Sequence, residues 1–217
     1  MSRTGRTALI LTAALLSFAL ASGVAAASRG KSFIAKKGTV SIKFTAPVAE
    51  KLAQLNIEFN AGTGSSGAPL ASVNYPALSI EPASSQPSRA PRTPLNTAKL
   101  AGIVYIGTAA VEFFQQLPTA ATFGGIDFPQ VVLGPHPALQ GVLHYSHTGS
   151  EEVSLPGYSK LFLLNTSHVK PVLKGHTLTL KGIPMSIAPA ALPLFTLLGT
   201  GFTAGEPVGS LTIRAVS

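Results

Sequence analysis

The residues most able to do chemistry in this 217-residue chain form one short cluster, His144-Tyr145-Ser146-His147. A strand is predicted over 139–147, and successive side chains of a strand point to opposite faces of its sheet. His144 and Ser146 would therefore face one side, and Tyr145 and His147 the other. The two histidines cannot bind one metal ion unless a bulge interrupts the strand, whereas Tyr145 and His147 can act on one ligand. The alternative is a strand end whose polar side chains are simply solvated.

The other histidines and the acidic residues predict no catalytic centre. His136 lies in a turn between two prolines, and His168 and His176 flank a loop, so exposure is expected for all three. The chain carries no GxSxG, HExxH or phosphate-loop motif. Glu151 and Glu152 are adjacent, and adjacent residues on a strand point apart. We therefore expect a protein that is not an enzyme, with no assignable metal ligands.

Composition limits the class of protein. Apolar residues make up 46% of the chain and charged residues 11%, with 21 Gly, 17 Pro and no Cys. This predicts a turn-rich, strand-rich domain without disulfides or thiolate metal sites. The net charge is +8. No stripe of Lys and Arg interleaves with aromatic residues, which argues against nucleic acid as a partner.

The N-terminus has the pattern of a secretory signal peptide. Arg3 and Arg6 provide the positive segment, and residues 7–24 are uncharged and mostly apolar. Small residues follow, so cleavage is predicted near Ala26 or Ala27. The protein is therefore expected to be secreted or cell-wall associated.

This assignment divides the chain into segments. We predict a signal peptide over 1–27, a basic N-terminal tail over 28–37 and a single domain over 38–217, in which 82–98 form an exposed Pro/Ser-rich loop. Loss of the two signal-peptide arginines lowers the net charge to +6. A basic exported protein can be attracted to anionic cell-wall polymers or lipid head groups. The tail can equally be a solvated segment without a partner.

An internal repeat relates the two ends of the predicted domain. Residues 40–62 align without a gap to residues 183–205. Each copy reads as a strand, a short helix and a Phe-containing strand. The second copy is long and apolar enough to span a membrane, but its prolines and glycines and the charges of the first copy argue against a stable span. The aligned apolar pairs are Phe44 with Ile187, Leu52 with Phe195, Leu55 with Leu198, and Phe59 with Phe202.

The segment between the two copies reads as strands and turns. Residues 100–107 and 110–117 are predicted to form a hairpin around Gly107-Thr108-Ala109. The fold class is therefore mainly β, a β-sandwich-like domain with two short α-helices in related N- and C-terminal units. The remaining strands are predicted at 128–134, 139–147, 160–165, 177–183 and 210–216.

Three segments follow one another along the chain: LNTAKLAGIVYIG, FGGIDFPQVVLG and the C-terminal IAPAALPLFTLLGTGFTAGEPVGSLTI. Their order resembles the HtaA-type, or haem-transport-associated, domain of exported proteins from high-GC Gram-positive bacteria. The resemblance covers about 38–216 and implies a β-sandwich-like domain that captures extracellular haem. Thr108-Ala109-Ala110 stands where the family often has His-Ser-Gly-Gly, and the family's aromatic N-terminal stretch is not recognisable, so no ligand residue is carried over.

Together these observations predict a secreted, envelope-associated, non-catalytic binding module for haem or another apolar ligand. Tyr145 would bind the haem iron as a phenolate, and His147 would be its hydrogen-bond partner. The alternative is a structural or adhesive cell-wall-associated protein without a small ligand. A weaker third interpretation is an accessory protein tethered to the membrane by 183–205.

Overall fold

A computed structural model describes residues 32–61, 78–80, 95–97, 99–106 and 110–217. The described chain is mainly β. It contains an eleven-stranded antiparallel sheet, a separate pair of two-residue strands and two short helices. This confirms the mainly β fold class and the two helices.

The elements follow one another as β1 (Ser32–Phe33), β2 (Lys37–Phe44), α1 (Ala46–Gln54), β3 (Ile57–Ala61), β4 (Leu78–Ile80), β5 (Leu95–Asn96), β6 (Gly102–Tyr105), β7 (Ala110–Gln116), β8 (Ala121–Leu133), β9 (Ala138–His147), β10 (Val153–Leu164), β11 (Val172–Lys174), β12 (Thr177–Ile187), a 3-10 turn (Pro189–Ala191), α2 (Leu192–Leu197) and β13 (Pro207–Val216).

The main sheet is continuous and curled. Its strand order is β3-β7-β8-β9-β10-β12-β13-β2-β4, with β6 added to β8 and β11 to β12. The register shifts along β8, β10 and β12, and such bulges bend a strand and increase its twist. The curl lets one face of the sheet enclose the core.

Phenylalanine rings fill the centre of that core. Phe195 of α2 is 1% exposed, and its ring centroid lies 5.2 Å from that of Phe113 and 5.6 Å from that of Phe202. The repeat predicted that Leu52, Leu55, Phe59, Phe195, Leu198 and Phe202 are buried. All are buried except Leu55, which is only half-buried against the core.

The repeat is confirmed in its first copy and only in part in its second. The first copy forms β2, α1 and β3, whereas the second forms the end of β12, the 3-10 turn and α2. Phe202 lies outside any strand, so the predicted second Phe-containing strand is wrong. Gly199 and Gly201 have φ of 67° and 64°, and these left-handed turns redirect the chain before Phe202. Phe202 instead packs directly on Phe195.

The predicted hairpin between β6 and β7 is also wrong. Strand β6 pairs with Gln130–Leu133 of β8, and β7 pairs with Ala121–Asp127 of the same strand. The physical reason is the length of β8, which runs for 13 residues and shifts register between Asp127 and Gln130. The two segments therefore lie one after the other along the same edge of this long strand. Residues 107–109 lie outside the described part of the chain.

Two short strands lie in segments for which the sequence predicted no strand: the basic tail over 28–37 and the Pro/Ser-rich loop over 82–98. Ser32–Phe33 pairs with Leu95–Asn96, and the side chains of Phe33 and Leu95 are 5% and 1% exposed. These two apolar side chains join the core. Most of 82–98 lies outside the described residues.

The apolar C-terminal run does not form a long helix. Residues 183–205 contain the six-residue α2, and no helix in the described part of the chain is long and apolar enough to cross a membrane.

Candidate functional site

Strand β9 carries the candidate side chains on its two faces as the sequence predicts. Tyr145 pairs with Gly124 of β8 and Val153 of β10, and His147 pairs with Thr122 of β8. By strand alternation, Tyr145 and His147 lie on the face that Leu143 shares with the core. Tyr145 is half-buried against that core.

A glycine makes the space that Tyr145 occupies. A Cβ atom placed on Gly124 would lie 2.6 Å from the Cβ of Tyr145 and 2.7 Å from the Cδ1 of Leu194. Both separations are far below van der Waals contact, so no side chain fits at position 124. The tyrosine is therefore held directly against the bare backbone of β8, beside a buried leucine of α2.

His147 is held by a hydroxyl from the neighbouring strand. Its Nδ1 lies 2.8 Å from the Oγ1 of Thr122, and the threonine is 1% exposed. When that hydroxyl donates, Nδ1 is the acceptor and the ring proton sits on Nε2. The imidazole then has one fixed orientation, and its Nε2–H can donate a hydrogen bond on the same face as Tyr145.

This arrangement places a phenol and a hydrogen-bond donor on one face of β9, above the apolar core. Alternate residues of a strand lie about 6.6–6.8 Å apart, so the side chains of Tyr145 and His147 can both contact the same bound ligand. Leu194 and Phe195 of α2 are 0% and 1% exposed, so they belong to the core beneath this face of the strand.

The opposite face of β9 carries His144 in a different environment. His144 is 5% exposed, so the prediction of a solvated strand end is wrong for this residue. Its Nε2 lies 3.8 Å from an oxygen of Glu112 and 3.8 Å from one of Asp127. Its Nδ1 lies 3.5 Å from an oxygen of Glu152. Sequence reasoning missed this group because its members come from different strands.

A second buried polar group lies where β6 meets β8. Tyr105 is 4% exposed and pairs with Gln130, which is 3% exposed. Burial, and then the nearby Tyr158 of β10, raise the pKa of the Tyr105 phenol above its ordinary value. The Oε1 of Gln130 has no hydrogen-bond partner within the described structure. No sequence motif distinguished these residues from ordinary strand residues.

The remaining histidines are exposed, as expected. His136 and His168 lie at the surface, and the Nδ1 of the exposed His176 is 3.4 Å from the hydroxyl of Ser217.

Comparison with known proteins gives a structural likeness but no sequence match. No protein-family model matches the chain, and no curated protein does. The C-terminal domain of HtaA from Corynebacterium glutamicum superimposes with a TM-score of 0.53 at 10% identity, over 85% of this chain and 99% of that one. Heme binding protein HtaB from the same organism gives 0.46 at 10% identity, over 86% and 96%. The first comparison shows that this chain has the fold of that HtaA domain.

Proposed function

We propose that this chain, which has the fold of the HtaA C-terminal domain, is an exported, non-catalytic binding module whose ligand is haem or a similar flat apolar molecule. The observation that carries the proposal is the placement of Tyr145 and His147 on one face of β9, beside Gly124 and α2. The order of sequence motifs supports the same function, because it resembles that of haem-transport-associated domains.

The chain's own residues fit the ligand in three ways. Haem supplies an iron that accepts a phenolate oxygen, and Tyr145 is the residue that would provide it. The hydrogen bond with Thr122 orients His147, whose Nε2–H can stabilise the phenolate. Gly124 leaves the tyrosine its space, and Leu194 packs behind it as part of the core.

Export and retention at the envelope are part of the same proposal. The predicted signal peptide over 1–27 lies outside the described residues. Lys36 just before β2, Lys37 at its start and Lys43 near its end are exposed. These cations support attraction to anionic wall polymers after export.

The test is a titration of the purified protein with haem, followed by the Soret absorbance. We expect saturable binding of one haem per chain. Tyr145→Phe keeps the ring but removes the oxygen, so affinity should fall at least about tenfold. Tyr158→Phe is the matched control, because Tyr158 is a 42% exposed tyrosine of β10. Equal affinity in the wild type and Tyr145→Phe would move the ligand elsewhere. Absence of binding would favour the structural or adhesive alternative.

A further inference from the structure

Three of the chain's eight acidic residues gather around one buried histidine. They come from three elements: Glu112 from β7, Asp127 from β8, and Glu152 from the turn before β10. The described part of the chain places no lysine or arginine within ion-pair distance of these carboxylates. In a protein of net charge +8, this is a local concentration of negative charge.

Sheet register explains how these side chains meet. Gly125 of β8 pairs with Glu112 on one side and with His144 on the other. The three residues form one row across the sheet, and its middle position has no side chain. His144 and Glu112 can therefore approach each other over the bare backbone of Gly125. Asp127 lies two residues after Gly125 on β8, so its side chain is on the same face of the sheet as His144 and Glu112.

The two ring nitrogens of His144 face different partners. Nδ1 faces Glu152 alone, and a carboxylate there favours the tautomer with the proton on Nδ1. The lone pair of Nε2 is then directed at Glu112 and Asp127, which as carboxylates have no proton to donate. This buried Nε2 has no hydrogen-bond partner. A buried lone pair facing two anions is unfavourable, and either a proton on Nε2 or a bound cation between these groups relieves it.

We propose that the Nε2 of His144, with Glu112 and Asp127, forms a binding site for a divalent transition-metal ion such as Zn²⁺. Glu152 is the outer carboxylate that orients the imidazole through Nδ1, as in carboxylate–histidine–zinc arrangements. This site lies on the opposite face of β9 from Tyr145 and does not depend on haem.

To bind a metal ion, the side chains of Glu112 and Asp127 would have to move toward the Nε2 of His144. Ligand atoms of a tetrahedral zinc site lie about 3.4 Å apart, given bonds of about 2.0–2.1 Å. The two separations from Nε2 are 3.8 Å, slightly wider than this. No group of His, Cys, Asp or Glu among the described residues already has metal-binding spacing, so the side chains must move for an ion to bind. The side chains of Glu112 and Asp127 are 34% and 41% exposed, which leaves them free to move inward and gives an ion access from solvent.

The donor set also predicts selectivity. One imidazole nitrogen and two carboxylate oxygens suit Zn²⁺ or Cu²⁺, whereas Ca²⁺ and Mg²⁺ prefer oxygen ligands alone. With three protein ligands, the fourth position of the ion remains for water or an added ligand.

The experiment is calorimetric titration of the untagged protein with ZnCl₂ at pH 7.5, without haem. We expect one Zn²⁺ per chain and no saturable Ca²⁺ binding. Glu112→Gln and Asp127→Asn preserve shape at partly exposed positions, and each should weaken Zn²⁺ binding at least about tenfold. Glu151→Gln is the matched control, because Glu151 is exposed and next to the orienting Glu152. Circular dichroism verifies that each variant is folded.

A second readout tests whether the two carboxylates bind the ion directly. Co²⁺ substituted for Zn²⁺ should give visible absorption bands that are lost in folded Glu112→Gln and Asp127→Asn. Absence of Zn²⁺ binding to the wild type would overturn the proposal. Binding that both variants keep at wild-type affinity would also overturn it and assign the metal to the exposed histidines. A failure of haem binding alone leaves these outcomes unaffected.

Discussion

Replacement of Phe195 by alanine should reduce stability strongly, because this ring joins α2 to the centre of the core. It is 1% exposed and has ring neighbours at 5.2 Å (Phe113), 5.6 Å (Phe202) and 6.2 Å (Phe162). Large-to-small changes of a buried phenylalanine cost about 3–5 kcal/mol, since the lost transfer free energy adds to that of the cavity. Loss of the edge-to-face contacts places the expected value toward the upper end of this range.

The assay is urea unfolding followed by far-ultraviolet circular dichroism, because the chain has no tryptophan to report on folding. For a domain of this size, a loss of about 3–5 kcal/mol corresponds to a melting temperature lower by roughly 6–20 °C. Leu197→Ala is the matched control on the same helix, because Leu197 is 38% exposed and should lose less than about 1 kcal/mol. A Phe195→Ala loss below about 1 kcal/mol would refute the central position of α2 in the core.

Three further predictions concern a close contact, a buried phenol and the N-terminus. Gly124→Ala should destabilise the protein by about 1–3 kcal/mol and weaken haem binding, because its Cβ would lie 2.6 Å from the Cβ of Tyr145 and push this residue away from β8; unchanged melting and binding would contradict this. The pKa of Tyr105 is raised in the folded state, so this phenol contributes stability below its ordinary pKa of about 10.0 and loses that contribution as pH rises through the folded pKa. The unfolding free energy measured by urea should therefore fall more steeply above about pH 10.0 in the wild type than in Tyr105→Phe, and equal slopes would count against it. N-terminal sequencing of secreted protein should begin at Ala27 or Ser28, and recovery of the uncleaved chain in membranes would contradict the signal peptide.

Features that depend on local pattern were predictable from the sequence. Alternation along β9 placed Tyr145 and His147 on one face and His144 on the other, because a strand has a fixed period of two residues. The repeat likewise identified Phe59 and Phe195 as core residues, since matching apolar positions recur in both copies.

Features that depend on strand pairing were not predictable. Because β8 is long, β6 and β7 both pair with it and not with each other. Nothing in the local sequence distinguishes this arrangement from a simple hairpin. The burial of His144 depends on Glu112 and Asp127 from other strands and on the bare Gly125 between them. The second Phe-containing strand fails because the positive φ of Gly201 turns the chain away from a ladder.

The measurement that most directly tests the account is the resonance Raman spectrum of the ferric haem complex. Coordination by Tyr145 predicts vibrations of an iron-bound tyrosinate in the wild type and in Tyr158→Phe, and their loss in Tyr145→Phe. Tyrosinate vibrations that persist in Tyr145→Phe, or a haem complex of the wild type without them, would contradict the assignment of Tyr145 as the haem ligand.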